Sequence, residues 1–197
     1  MWTGGNPGSS PNATLTIDFV TIATAGNASD FGNLTASMKE VQSTSSPTRG
    51  IMGGGNTVPA TVNTIQFITI ASTGNASDFG DLTRTAGSLS TASSATRAVF
   101  ANGGTNTIDY ITIASEGNAT DFGTLTIGRA FGSATSTPTR AVFAAGRFND
   151  HPVSDLNRIM DFISMQSGGS AQDFGDLNEP KKEVGMTSDS HGGLGGF

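Results

Sequence analysis

The stretch Thr107-Ile108-Asp109-Tyr110-Ile111-Thr112-Ile113, continued by Gly117-Asn118-Ala119-Thr120-Asp121-Phe122-Gly123, decides the fold of this chain. Its first half is β-branched and aromatic, which favours an extended strand over a helix. Side chains alternate along a strand, so Ile108, Tyr110 and Thr112 point one way and Asp109, Ile111 and Ile113 the other. Both faces carry apolar groups, as expected of a strand sandwiched between two neighbouring layers. The Gly-Asn-Ala turn then leads into Asp121-Phe122-Gly123-Thr124-Leu125-Thr126, which is expected to pair back as a hairpin. Gly123 predicts a β-bulge that lets both Phe122 and Leu125 reach the core.

The same text recurs along the chain, and internal repetition outranks other sequence signals. The first half returns as Thr16-Ile17-Asp18-Phe19-Val20-Thr21-Ile22, as Thr64-Ile65-Gln66-Phe67-Ile68-Thr69-Ile70 and, in worn form, as Arg158-Ile159-Met160-Asp161-Phe162-Ile163-Ser164-Met165. Asp30-Phe31-Gly32, Asp78-Phe79-Gly80 and Asp173-Phe174-Gly175 repeat the second half. A third block, Pro47-Thr48-Arg49-Gly50-Ile51-Met52-Gly53-Gly54, matches Ala95-Thr96-Arg97-Ala98-Val99-Phe100 and Pro138-Thr139-Arg140-Ala141-Val142-Phe143. Between the equivalent isoleucines 17, 65, 108 and 159 the steps are 48, 43 and 51 residues. With a Ser/Thr-rich strand such as Phe131 to Ser136, each period supplies four short strands. The expected repeats are about 1–50, 51–98, 99–141 and 142–192, with 193–197 starting a further Gly-rich strand. Gly and Ala in that strand would let backbones crowd near a central axis.

A period of this size belongs to propeller blades. The Gly-Gly pairs after an apolar strand, Gly53-Gly54 and Gly103-Gly104, resemble those of kelch-like, galactose-oxidase-type β-propellers. The fuller pattern, Thr-Ile-Asp-Tyr-Ile-Thr-Ile through Thr-Arg-Ala-Val-Phe, is similar to repeats in virion proteins of tailed bacteriophages. The resemblance covers nearly the whole chain and implies a structural, tail-fibre or adhesion role, on a virion or outside the cell. The chain departs from kelch blades in lacking a repeated Trp and Tyr, since Trp2 and Tyr110 stand alone. The Gly-rich strand is represented at both ends, by Met1 to Asn6 and by Gly193 to Phe197. An array that continues beyond the chain, or subunits joined end to end, is therefore the expectation, with a closed four-blade ring as the alternative.

Composition bounds the function classes. Of 197 residues 13% are charged and 27 are glycine, with a formal net charge of −6. Twelve Phe at recurring places argue for order, and small polar residues suit short strands and tight turns. No basic cluster offers a footprint for nucleic acid. No apolar run approaches the roughly 20 residues of a membrane-spanning helix, and the N-terminus lacks the charged and apolar regions of a signal peptide. Without cysteine there is no thiolate chemistry and no disulfide.

Repetition also disciplines the search for chemistry. Asp30, Asp78, Asp121 and Asp173 precede Phe-Gly, but the phosphate loop, strand lysine and catalytic loop of a kinase are missing. A carboxylate repeated four times reads as a turn cap. The motif also resembles the Asp-box hairpin of sialidases, although Ala stands where that box has Ser or Thr. Arg49, Arg97 and Arg140 read as bonds to carbonyls or to the repeated Asp, with an arginine ring for an anionic sugar as the sharper idea. His151 and His191 have no metal-ligand spacing, and the oxygen-rich loop from Asn149 to Asp155 lacks the EF-hand pattern. Sequons at Asn12, Asn27, Asn33, Asn75 and Asn118 are inflated by repetition. No catalytic, cofactor or metal residue is assigned and no cofactor is expected. The chain reads as a non-enzymatic scaffold displaying the loops 6–15, 56–63 and 147–157. Expected partners are its own copies, other appendage proteins or a host-surface glycan. One rival is a cellular protein-interaction scaffold. The other is a carbohydrate-active enzyme, which needs unrepeated acids such as Glu40, Glu116, Asp150, Asp155, Glu179 and Glu183 to converge.

Overall fold

A computed structural model describes residues 1–8, 12–148 and 156–188. The described residues form no helix, and their strands make four antiparallel sheets. Sheet I holds β1 (Trp2–Thr3), β2 (Thr14–Phe19) and β3 (Ser29–Met38). Sheet II is a meander of β4 (Gln42–Ser45), β5 (Arg49–Gly53), β6 (Thr64–Thr69) and β7 (Ser77–Asp81). Sheet III runs through β8 (Leu89–Ser93), β9 (Arg97–Asn102), β10 (Thr105–Thr112) and β11 (Thr120–Ala130). Sheet IV has β12 (Ser133–Ser136), β13 (Arg140–Ala144), β15 (Asn157–Ser164) and β16 (Gln172–Lys181). The short β14 (Arg147–Phe148) lies inside the loop 147–157 and crosses back to pair with β11, widening sheet III. In sheets II to IV the strand order is thus Ser/Thr-rich, Gly-rich, Ile-rich, then Asp-Phe-Gly.

The expected bulge is present in every sheet. Ile108 pairs with Gly123 and Asp109 with Asp121, so Phe122 is the extra residue. Phe31, Phe79 and Phe174 occupy the same place opposite Ile17, Ile65 and Met160. The equivalent of Ile108 in sheet IV is thus Met160 rather than the expected Ile159, and the last step is 52 residues. Only glycine suits the following position, where φ is 149°, 143°, 144° and 128° at Gly32, Gly80, Gly123 and Gly175. The bulge turns Phe and, three residues on, Leu to the same side. Phe122 and Leu125 are buried together with Ile108, as anticipated.

The core lies between sheets rather than within one. Ile17, Phe31 and Leu34 of sheet I meet Met52 and Ile68 of sheet II. Ile51, Ile65 and Phe79 of sheet II meet Phe100, Ile111 and Ile113 of sheet III. Val99, Ile108 and Phe122 of sheet III meet Phe143, Ile163 and Met165 of sheet IV. Strand β10 therefore sends Ile108 forward and Ile111 and Ile113 back, the two-faced burial its alternation predicts. Small residues make the approach close: a Cβ on Gly53 would collide with the Phe100 ring of the next sheet.

Polar groups cross the same seams. Gln66, Asp109 and Asp161 occupy one position on the Ile-rich strands and are fully buried. Each accepts from a threonine of the preceding sheet, Thr35, Thr83 and Thr126 respectively. Asp161 also pairs with Arg129 at 2.9 Å, both side chains being wholly buried. Burial pushes the Arg129 guanidinium below its ordinary pKa, and the Asp161 charge pulls it partly back. Removing one member strands the other charge in the seam. Asp161→Ala is expected to lower unfolding stability by about 3–5 kcal/mol, read from urea denaturation. A double replacement of Arg129 and Asp161 by Met and Leu should recover most of that loss.

Candidate functional site

Most of the repeated polar residues are engaged in joining one sheet to the next. Asp30, Asp121 and Asp173 each accept from the amide of the bulge glycine two residues on, at 3.0 Å, which is the turn cap expected of them. Arg49 donates through Nη1 to the Ile113 carbonyl at 2.9 Å, and Arg97 to Met165 at 2.8 Å, each reaching the following sheet. Their guanidinium planes stack on Phe67 and Tyr110 of their own sheets at 4.4 and 4.8 Å. Arg140 stacks on Phe162 at 4.6 Å in the same way. Arg49 and Arg97 are thus bonded to carbonyls, one of the alternatives the sequence left open, whereas the Arg140 side chain makes only the ring contact among the described residues.

The Ser/Thr-rich strands are joined by their hydroxyls. Ser93 Oγ donates to the Ser45 carbonyl at 2.7 Å, Ser136 Oγ to Ser93 at 2.8 Å and Ser188 Oγ to Ser136 at 3.0 Å. One equivalent serine per period thus reaches back to the sheet before it. This is a physical reason for strands so rich in Ser and Thr.

What repetition does not absorb gathers at one end of the sheets. There the connections from the Asp-Phe-Gly strand to the next Ser/Thr-rich strand meet those that follow the Gly-rich strand. Glu40, Ser88, Phe131 and Glu183 sit at equivalent points of the first kind of connection. All four adopt the left-handed backbone, with φ of 57°, 54°, 58° and 55°. Such a conformation is uncommon for residues other than glycine and costs of order 1–3 kcal/mol when strained. It is offset by a backbone ladder across the sheets. Ser88 N–H donates to the Glu40 carbonyl, Phe131 N–H to Ser88 and Glu183 N–H to Phe131, at 3.3, 3.3 and 2.8 Å.

Two open depressions flank this ladder and share Glu40 and Ser88. One is lined by Glu40, Gln42, Ser88, Phe131, Ser133 and Glu183. The other, of about 290 Å³, is bounded by Glu40, Thr61, Gly87, Ser88, Gly103 and Arg147. The loops expected to make contacts therefore contribute Thr61 and Arg147 to the second depression, while residues 9–11 and 149–155 lie outside the described residues. Ser88 donates to Glu40 Oε2 at 3.2 Å. Phe131 is flanked by Arg147 and Lys182, 5.0 and 5.5 Å from the ring centroid, and Lys182 pairs with Glu183 at 3.2 Å.

Of the unrepeated acids, the structure brings Glu40 and Glu183 to one depression. Glu116 is diverted to Arg49 at 3.2 Å, and Glu179 is exposed on β16. Asp150, Asp155, His151, His191 and the strand expected at 193–197 lie outside the described residues. Among the described residues, no three His, Cys, Asp or Glu side chains stand close enough to share a metal ion. The left-handed ladder is illegible in composition, because three different residue types carry its four positions. Its trace is spacing alone, with steps of 48, 43 and 52 between residues 40, 88, 131 and 183. No protein-family model matches the chain, and no curated protein is similar to it.

The two arginine settings predict unequal effects. Arg97→Ala removes charge-assisted bonds to another sheet as well as a ring contact and should cost about 2–3 kcal/mol. Arg140→Ala removes chiefly the ring contact and should cost about 0.5–1 kcal/mol. Urea denaturation of both variants checks the difference.

Proposed function

We propose that the four sheets are blades of a kelch-like β-propeller array, and that the protein is a non-enzymatic structural or adhesion scaffold of a virion or other extracellular appendage. The observation that carries this reading is the division of labour among polar residues. The repeated Arg, Ser and buried amide or carboxylate side chains hold sheet to sheet. The unrepeated ones, Glu40, Glu183, Thr61 and Arg147, collect on the loop-bearing end. A rigid frame with a variable polar rim is the arrangement by which repeat proteins display contact loops. Exposed carboxylates and hydroxyls suit the hydroxyl-rich face of a surface glycan. Other copies and other appendage proteins are the partners expected along the array.

A carbohydrate-active enzyme is the second reading, because Glu40 and Glu183 line the same depression. One experiment separates the two. The intact protein is applied to an array of bacterial and animal glycans, and every bound glycan is incubated in solution and assayed for new reducing ends. The scaffold reading expects binding that Glu40→Gln with Glu183→Gln weakens more than about tenfold, with no reducing ends released. Release of reducing ends that the double variant abolishes would establish the enzyme instead. Binding to no glycan would remove the adhesion role.

A further inference from the structure

One contact recurs at every seam, at the end of the sheets opposite the candidate site. The Gly-Asn-Ala turn of sheets II and III, Gly-Ser-Ala in sheet IV, clasps the bulged strand of the sheet before it. Gly74 N–H donates to the Phe31 carbonyl and Ala76 N–H to Asn33, both at 2.8 Å. Gly117 and Ala119 repeat this on Phe79 and Asp81 at 2.8 Å, and Gly169 and Ala171 on Phe122 and Thr124 at 2.8 and 2.7 Å. The turn side chain completes the clasp. Asn75 Oδ1 accepts from Asn33 N–H and Asn118 Oδ1 from Asp81 N–H at 3.0 Å, and Ser170 Oγ lies 3.0 Å from Thr124 Oγ1.

The fourth instance of this contact is split between the two ends of the array. Sheet I carries the turn, Gly26-Asn27-Ala28, whose Gly26 and Ala28 amides make no bond to another sheet among the described residues. Sheet IV carries the bulged strand, on which Phe174 is 49% exposed where Phe31, Phe79 and Phe122 are 3–5% exposed. Every other element of the seam is divided in the same way. Ile22 is 98% exposed, whereas of its equivalents Ile113 and Met165, packed on the preceding sheet, are 1% exposed and Ile70 is half-buried. Arg140 has no carbonyl partner among the described residues, and the carbonyl its counterparts use corresponds to that of Ile22. Asp18 stands where Gln66, Asp109 and Asp161 hold a threonine of the preceding sheet, and Asn178 is the residue sheet IV offers at that threonine position. Among the described residues, sheet I has no counterpart of the Ser/Thr-rich strand of sheets II to IV. Ser188, bonded to Ser136, occupies the corresponding place beyond sheet IV.

We infer that sheet I of a second copy of this chain docks on sheet IV, reproducing the internal seam in a head-to-tail interface. Gly26 and Ala28 amides meet the Phe174 and Asp176 carbonyls, Ile22 covers Phe174 and Met160, and Arg140 reaches the Ile22 carbonyl. The partner is the same chain because the three formed seams specify the fourth, group by group. A heterologous contact of this kind propagates into a ring or a filament according to its rotation. The inference rests on the scaffold reading for the role of the assembly. Crosslinking reports the interface and the glycan array reports display, so either can fail alone.

Cysteine pairing tests it cleanly, since the chain has no cysteine of its own. Asn27→Cys and Asp176→Cys are placed as Ser170 and Thr124 are placed across a formed seam. Thr124→Cys with Ser170→Cys serves as the control and must close a disulfide within one chain. The Asn27→Cys, Asp176→Cys protein, mildly oxidised, is expected to give a non-reducing ladder at multiples of 20.0 kDa. Mixing the two single variants should give one crosslinked dimer. A disulfide confined to single chains would mean that the array closes on itself, and would overturn the inference. So would the absence of any crosslink while the control pair forms.

Discussion

The rest of the structure depends on the bulge in the Asp-Phe-Gly strand and on what the next sheet does with it. By inserting one residue, the bulge presents the carbonyls on either side of the glycine away from their own sheet. The following Gly-Asn-Ala or Gly-Ser-Ala turn supplies amides to them at 2.7–2.8 Å at all three seams. The glycine is required twice over. Its φ of 143° or 144° at Gly80 and Gly123 is one that side chains resist, and a Cβ there would lie 2.5 or 2.6 Å from the backbone of the clasping turn. Conformation and clearance thus place the same demand on one position, and the Asp two residues earlier fixes the glycine amide in three sheets. The spacing between sheets is then set by backbone contact, and the Phe, Ile and Leu side chains fill the width it leaves.

Such a seam accounts for an unusual composition. Only 35% of the chain is hydrophobic and 13% charged. The apolar groups suffice because each of the two inner sheets shares its faces with two neighbours. Hydroxyl and amide groups take over joints that long charged side chains would otherwise make, at a smaller cost in side-chain entropy. The few buried charges sit where the pattern breaks. Arg84 approaches the buried Asp109 to 3.9 Å, and Arg129 pairs with Asp161, whereas the equivalent Gln66 needs no cation.

The repeat made much of this legible in the residues alone. Alternation in Ile108 to Ile113 places the strand between two layers and Gly123 announces the bulge, while for Arg97 the sequence leaves a carbonyl and the repeated Asp as alternatives. Groups specified by their surroundings were not legible. Thr83 and Asp109 belong to different periods, and nothing local ties them together. The left-handed ladder runs through Glu, Ser, Phe and Glu, so its conformation is set by the backbone bonds between sheets and not by residue type. Strand β14 follows from a single long connection and has no counterpart to compare with. The candidate site follows from the geometry of Glu40 and Glu183, while the repeated Asp30, Asp121 and Asp173 cap the bulge glycine of their own strand.

Amide hydrogen exchange at low protein concentration tests the central claim, that the clasp between turn and bulge holds the array together. If it does, the amides of Gly74, Gly117 and Gly169, though they lie in exposed turns, exchange as slowly as those of the central strands, and the equivalent Gly26 exchanges freely. Equal and rapid exchange at all four glycines would contradict the account, leaving apolar packing alone to hold the sheets together.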